Sequence, residues 1–235
     1  MLGGVAVALR LTLPSLLALS ALGASSHRDP SQLRPGLFLY ASPAQQDPNF
    51  AESVVLLLVH DPGGSLGLVV NRPTRVPLRE LLGGVTGREA GEIRFHWGGP
   101  VEPRTILALV RGSWASDSAP PVLPDVHLTA DLAEVRAVLS GREPSARLRV
   151  FTGYAGWGAG QLAAEVRAGA WVLDRADAAS IFGPDVSELW QRVHRILQRL
   201  EARGSDTPLG ADGLFLGVVG PAAGRIALSR SAHGQ

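Results

Sequence analysis

The segment Ser53–His60, reading SVVLLLVH, constrains the fold more than any other part of the chain. It has strand length and an apolar run without alternation, so a strand made from it needs cover on both faces. After DPGGS a second apolar run returns, LGLVVN, Leu66–Asn71. The Gly-Gly turn joins the two as a hairpin buried on both sides. The rest of the chain must therefore supply two layers of cover, and a hydrophobic content of 46% with 18% charged residues is sufficient for that.

Other segments extend the sheet. LFLYAS, EIRFHW, RTILALVRG, RLRVFTG and AWVLD each read as strands, and GGPVEP separates the second from the third. RLRVFTG, Arg147–Gly153, is predicted to run into a glycine-dense turn, YAGWGAGQ. Four helices are expected. Pro77 opens a short one that Gly83-Gly84 ends, and Thr129 caps one over Ala130–Ser140 with Leu132, Val135, Val138 and Leu139 on one face. QLAAEVRAG forms a third. The fourth spans Pro184–Arg203, where Val186, Leu189, Trp190, Val193, Ile196, Leu197 and Leu200 follow helical spacing. Strands and helices mix without regular β-α-β alternation, which points to an α+β fold.

The 22 basic residues are all Arg and are nearly cancelled by 21 acids, so the net charge of +1 provides no field to draw nucleic acid or an anionic membrane. With no Cys, thiolate chemistry and Cys-ligated metals are excluded. The six His show no His-x-His or His-x-x-x-His spacing, so neither a metal site nor a cofactor is indicated. Residues 1–32 hold the apolar stretch Leu11–Ala24 behind Arg10, then a polar linker. That stretch has the shape of a signal peptide, too short and too interrupted by Pro14 to span a bilayer, and an overextended start is the alternative reading. Residues 204–235 read as an extension or tail around LFLGVV.

Four motifs stand in order: DPNF ahead of SVVLLLVH, GLVVNRP, WGGPV and GYAGWGAGQL. As an ordered set, from about Leu33 to Leu200, they resemble the AlgH/YqgE-like family. The resemblance implies a single domain, about 33–203, with a bifurcated, partly barrel-like mixed β-sheet surrounded by helices. It also implies a cytoplasmic protein unless the N-terminal segment exports it, from a family whose members are often called transcriptional regulators. Leu109-Val110 stands where the family commonly has Leu-His, so a function that needs that imidazole is not implied here.

From the residues themselves, a binding or regulatory module is the leading expectation. The Gly-rich segment, the Asn71-Arg72 turn and the Gly98-Gly99 turn are expected to meet in one pocket for a small anionic ligand or a peptide. Its candidate residues are Asn71, Arg72, Gly98, Gly99, Tyr154, Trp157 and Gln161. Glycines give close backbone approach, Arg a planar fork, the aromatic rings flat area and Gln161 an amide. Each has a structural alternative as a turn, an internal bond or core. Two other readings stay open: DNA contact through Arg192, Arg195, Arg199 and Arg203, which a neutral chain without a helix-turn-helix makes doubtful, and a hydrolase using His60 and Ser65 of GGSLG. A dinucleotide fingerprint at Gly158–Ala163 has the wrong context.

Overall fold

A computed structural model describes residues 26–82, 93–112, 121–141 and 147–205. The leader, the Gly83-Gly84 helix stop and the run at 214–219 lie outside the described residues. The chain divides into two units between Gln198 and Arg199. All nine described strands belong to the first, and the described part of the second is helical and ends at Ser205. No described helix is long and apolar enough to cross a membrane.

The hairpin forms as its sequence demands. Strands β2 (Val54–Asp61) and β3 (Gly64–Val69) pair antiparallel, and Asp61 Oδ1 accepts the Gly63 and Gly64 N–H groups at 2.7 and 3.2 Å to close the turn. Strand β1 (Leu37–Ala41) pairs with β2 on one side and with the edge strand β9 (Trp171–Arg175) on the other. Alternate residues enter opposite layers: Phe38, Tyr40, Leu56 and Leu68 on one face, Leu39, Val55, Leu57 and Val69 on the other.

The second sheet holds β4 (Pro73–Pro77), β5 (Arg94–Trp97), β6 (Val101–Arg111) and β7 (Val126–Thr129). Strand β8 (Leu148–Gly158) belongs to both sheets. Phe151 and Thr152 pair parallel with β5, Leu148–Tyr154 antiparallel with β6, and Ala155–Gly158 antiparallel with β3. The sheet therefore forks along β8, in the order β4-β5-β8-β3-β2-β1-β9 with β6 and β7 branching from β8, and it does not close into a barrel. This is the bifurcated α+β architecture the resemblance implied.

Glycine makes the fork possible. A Cβ on Gly98 would lie 2.3 Å from the Gly153 oxygen, one on Gly99 2.2 Å from the Tyr154 carbonyl, and one on Gly153 2.4 Å from the Gly99 oxygen. Two backbones thus cross in direct contact, with Gly153 at φ 68°. The Gly98 N–H donates to Thr152 and its carbonyl accepts from Val69, both at 2.9 Å, which ties β3 to β8 through this point. The glycine-dense stretch expected to be a turn is therefore strand as far as Gly158. The chain turns only at Ala159-Gly160, where Gly160 at φ 72° caps helix α3 (Gln161–Arg167).

The structure corrects other boundaries. Strand β4 was missed because two prolines argue against a strand, yet an edge strand tolerates them. Strand β7, which no sequence segment announced, ends on Thr129, the expected cap of the second helix, and that helix starts two residues later than expected, at Leu132. Helix α1 (Leu78–Leu81) follows Pro77, and helix α2 (Leu132–Leu139) is capped by Asp131, which accepts from the Ala133 N–H at 2.8 Å, while Thr129 ends β7. Helix α4 (Ala178–Phe182), capped by Asp177, was also missed. The last helix, α5, spans Leu189–Ser205 after a 3-10 turn at Val186–Glu188.

Leu162 and Val166 of α3 and Phe50 cover one face of the central sheet. The second sheet, through Leu109 and Phe151, covers the other together with Ile181 and Phe182 of α4 and Leu189 and Val193 of α5. Helices α1 and α2 close the outer face of the second sheet over Ala108, Val110, Leu148 and Val150. Between the sheets lies His96, 4% exposed, its ring 5.4 Å from Phe151. No hydrogen bond of normal geometry reaches either ring nitrogen. Burial first, and then the nearby Arg149 guanidinium, hold its pKa at about 4, an effect the Val150 backbone only partly offsets.

Gly99→Ala is expected to lose at least about 3 kcal/mol in a urea melt or to fail to fold, because its Cβ meets backbone. Gly156→Ala, whose Cβ would come no nearer than 3.4 Å to a neighbouring atom, the Val101 Cγ2, should stay within about 1 kcal/mol of the parent. For His96, the folded protein holds fewer protons than the unfolded chain between pH 6.5 and about 4. Its contribution is complete above pH 6.5 and is lost as pH falls to about 4, an effect of roughly 3 kcal/mol that His96→Leu should flatten in melts across that range.

Candidate functional site

The loop Asp47–Ser53 links the sequence motifs. Asp47 Oδ1 accepts the Asn49 N–H at 2.8 Å and its carbonyl accepts the Phe50 N–H at 2.9 Å, so the loop folds on itself. Asn71, 7% exposed, accepts the Val54 N–H through Oδ1 at 2.8 Å and donates through Nδ2 to the Glu52 carbonyl at 2.9 Å. Arg72 donates to the Asn49 and Ala51 carbonyls at 2.7 and 2.6 Å while its guanidinium sits 5.0 Å from the centre of the Trp97 ring. Burial lowers the pKa of Arg72.

Phe50 carries the loop into the interior. It stacks on Trp157 at 5.9 Å and meets Trp171 edge-on at 5.6 Å. Glu165, on α3, accepts both indole N–H groups through one oxygen, from Trp157 at 3.0 Å and Trp171 at 2.7 Å. Its other oxygen accepts from Gln161 Nε2 at 3.0 Å, and Gln161 Oε1 takes the Gly158 N–H at 3.1 Å.

The four motifs do meet, then, through internal bonds. Of the seven expected site residues, Asn71 has its amide engaged by backbone, Trp157 is core, and Gly98 and Gly99 have backbone where a side chain would stand. Arg72 and Tyr154 are partly exposed and Gln161 is exposed. Tyr154 and Trp157 stand three residues apart on β8, where the strand period of two sends them into opposite layers. The single surface expected to hold both rings is therefore not formed. Tyr154 instead donates its hydroxyl to Glu102 at 3.4 Å.

A recess of about 510 Å³ opens elsewhere, at the β1–β9 edge of the central sheet. Tyr40, Asp174, Asp177 and Ser180 give it polar lining; Leu123, Leu189 and Val193 are among its apolar walls. Tyr40 is 5% exposed, and its hydroxyl has no hydrogen-bond partner among the described residues. Burial first, then the Asp174 and Asp177 carboxylates, push its pKa well above the usual phenol value. Asp174 is itself raised, mainly by burial, although its Oδ1 accepts the Arg175 N–H at 2.8 Å. Both oxygens of Asp177 are engaged by Ser180. No motif marks these residues in the sequence. The available signals were the Tyr in the strand LFLYAS and the Asp that ends the strand AWVLD.

The other readings meet specific geometry. His60 Nδ1 and Ser65 Oγ are 2.8 Å apart, but Ser65 sits in the β3 ladder opposite both His60 and Trp157, away from any strand-to-helix elbow. Asp61 is committed to its turn. Arg192 is partly buried and Arg195 exposed; the side chains of Arg199 and Arg203 lie outside the described residues. Strands β8 and β9 flank the fingerprint segment but are not neighbours in the sheet, so no dinucleotide-binding unit forms. Among the described residues, no three His, Asp or Glu side chains group to hold a metal.

Comparison with known proteins gives a consistent picture. A family model described as AlgH-like matches residues 38–200. A UPF0301 protein of Myxococcus xanthus is 40% identical over 168 residues, covering 69% of this chain and 90% of that one. A UPF0301 protein of Streptomyces avermitilis is 39% identical, with 68% and 84% covered. The solution structure of the AlgH protein from Pseudomonas aeruginosa superposes with a TM-score of 0.59 at 30% identity, over 75% of this chain and 95% of that one. The crystal structure of protein DIP2367 from Corynebacterium diphtheriae shares the fold, with a TM-score of 0.56 at 22% identity over 70% and 87%.

Glu165→Ala strands two indole donors and is expected to lower stability by about 2–4 kcal/mol in denaturant melts, with a shift in tryptophan fluorescence. Gln161→Ala, on the exposed side of the same network, should cost no more than about 0.5 kcal/mol.

Proposed function

The chain belongs to the AlgH-like family, and from that premise we propose that it acts as a ligand-binding regulatory module, not as a catalyst, with its ligand in the Tyr40 recess. The observation that carries this reading is the recess itself. It is of the size that holds small molecules, mostly apolar in its walls, with a few polar groups at one end. The motif cluster serves as its frame. Bonds from Asn71 and Arg72 fix the loop ahead of β2, β2 fixes β1, and β1 carries Tyr40. Regulation in this reading runs through the ligand or a partner protein, since a net charge of +1 gives little attraction for DNA phosphates.

A second reading, favoured by the guanidinium of Arg72 held over Trp97, puts an anionic ligand or peptide beside Arg72, Tyr154 and Gln161. That ligand would compete with the Asn49 and Ala51 carbonyls for the same donors.

One experiment separates the two. In a two-dimensional amide NMR titration with small-molecule fragments, the first reading expects shifts concentrated at residues 34–40, 174–180 and 189–193. Shifts confined to 49–52, 71–72, 97 and 161 would favour the second. Hydrolysis of an activated ester that Ser65→Ala abolishes would overturn both.

A further inference from the structure

The recess has a chemical polarity that selects among ligands. Its inner polar end is built from Tyr40 on β1, Asp174 on β9 and Asp177 ahead of α4. The two arginines that line it, Arg34 and Arg175, are exposed, and Arg34 is turned back to donate to the Gln32 carbonyl at 3.0 Å. A third, Arg192 on α5, acts on Tyr40 from a partly buried position. The half-buried polar groups that line the inner end are thus mainly carboxylates, with Arg192 acting on Tyr40 and His27 on Asp174, while the two lining arginines face solvent.

Hydrogen-bond accounting points the same way. Asp177 is satisfied by the Ser180 amide and hydroxyl, at 2.8 and 2.7 Å. Asp174 has only Oδ1 engaged; no described group bonds its Oδ2. Tyr40, itself 5% exposed, adds a hydroxyl that has no hydrogen-bond partner among the described residues and opens on the recess. A half-desolvated carboxylate and an unpaired phenol oxygen, side by side, present acceptors that want a charged N–H donor. Such a donor would relieve the cost of burying Asp174. An incoming carboxylate or phosphate would meet two like charges.

We infer that the Tyr40–Asp174 recess binds a small organic cation, a primary amine or guanidine carrying an apolar body, with the nitrogen between the Tyr40 hydroxyl and Asp174 and the body against Leu123, Leu189 and Val193. This rests on the recess being the ligand site and adds the ligand's charge class.

The test uses the 235-residue chain and three probes of one shape: phenethylamine, 2-phenylethanol and 3-phenylpropanoate. The amine is expected to perturb the amides of residues 34–40, 174–180 and 189–193 and to bind at least about tenfold more tightly than the alcohol, with the carboxylate weaker still. Asp174→Asn should remove that preference while the alcohol's affinity stays unchanged. Tyr40→Phe, which deletes an unpaired hydroxyl, should weaken the amine several-fold without lowering Tm, so that loss of binding is not loss of fold. Equal or tighter binding of the alcohol at these amides would overturn the cation assignment and leave the ligand site standing. A preference that survives Asp174→Asn would also overturn it, and absence of perturbation by every probe would overturn the inference together with the reading beneath it.

Discussion

The contact between the Gly98-Gly99 and Gly153-Tyr154 backbones is the constraint on which the rest of the structure depends. A Cβ at Gly98, Gly99 or Gly153 would stand closer to backbone than real Cβ atoms come, so this crossing exists only with glycine at those places. Because the backbones touch, β8 can serve two sheets, leaving β5 for β3 on one side while β6 follows it on the other. The fork brings the inner faces of the two sheets together around Leu68, Leu109 and Phe151. It also aims Trp157 into the opposite layer, under α3.

A second constraint acts at the other end of that layer. The loop ahead of β2 has no regular ladder partners. Asn71 and Arg72 tie it down instead with four side-chain bonds, to the buried Val54 N–H and to the carbonyls of the exposed residues Glu52, Asn49 and Ala51. Phe50 then packs against two indoles that meet each other edge-on and whose N–H groups share one oxygen of Glu165. The polar and aromatic motifs form one interlocked unit, and changes in one member are expected to couple to the others.

Much of this was legible in the sequence, for identifiable reasons. The run Val54–Leu58 announced a doubly covered strand, although Val59 beyond it is exposed, and the spacing of Val186, Leu189 and Val193 announced a helix against the core, because burial imposes those periods directly. The glycine-dense end of β8 was misread as a turn, since glycine marks both turns and close backbone approach, and only the partner segment decides between them. Strand β4 was hidden by Pro73 and Pro77, which an edge position excuses. For the candidate site, the meeting of the motifs was legible but their opposite facing was not. A strand running through Tyr154 to Trp157 separates two rings that a loop would have allowed to share a surface.

The same physics explains why the recess left no mark in the sequence. A motif is a run of residues whose local geometry is so demanding that few alternatives serve, and in this chain such runs are occupied in holding the fold. The recess is assembled from segments far apart in sequence: the approach to β1, the turn before β7, the end of β9, and helices α4 and α5, each giving a few residues of ordinary type. Its defining features are states of individual atoms. The hydroxyl of the 5%-exposed Tyr40 meets no hydrogen-bond partner among the described residues, and Asp174, partly desolvated, has one oxygen unbonded by them. Both depend on what the fold places around them, and a ligand that supplied the missing donor would change binding chemistry without touching any residue that holds the fold.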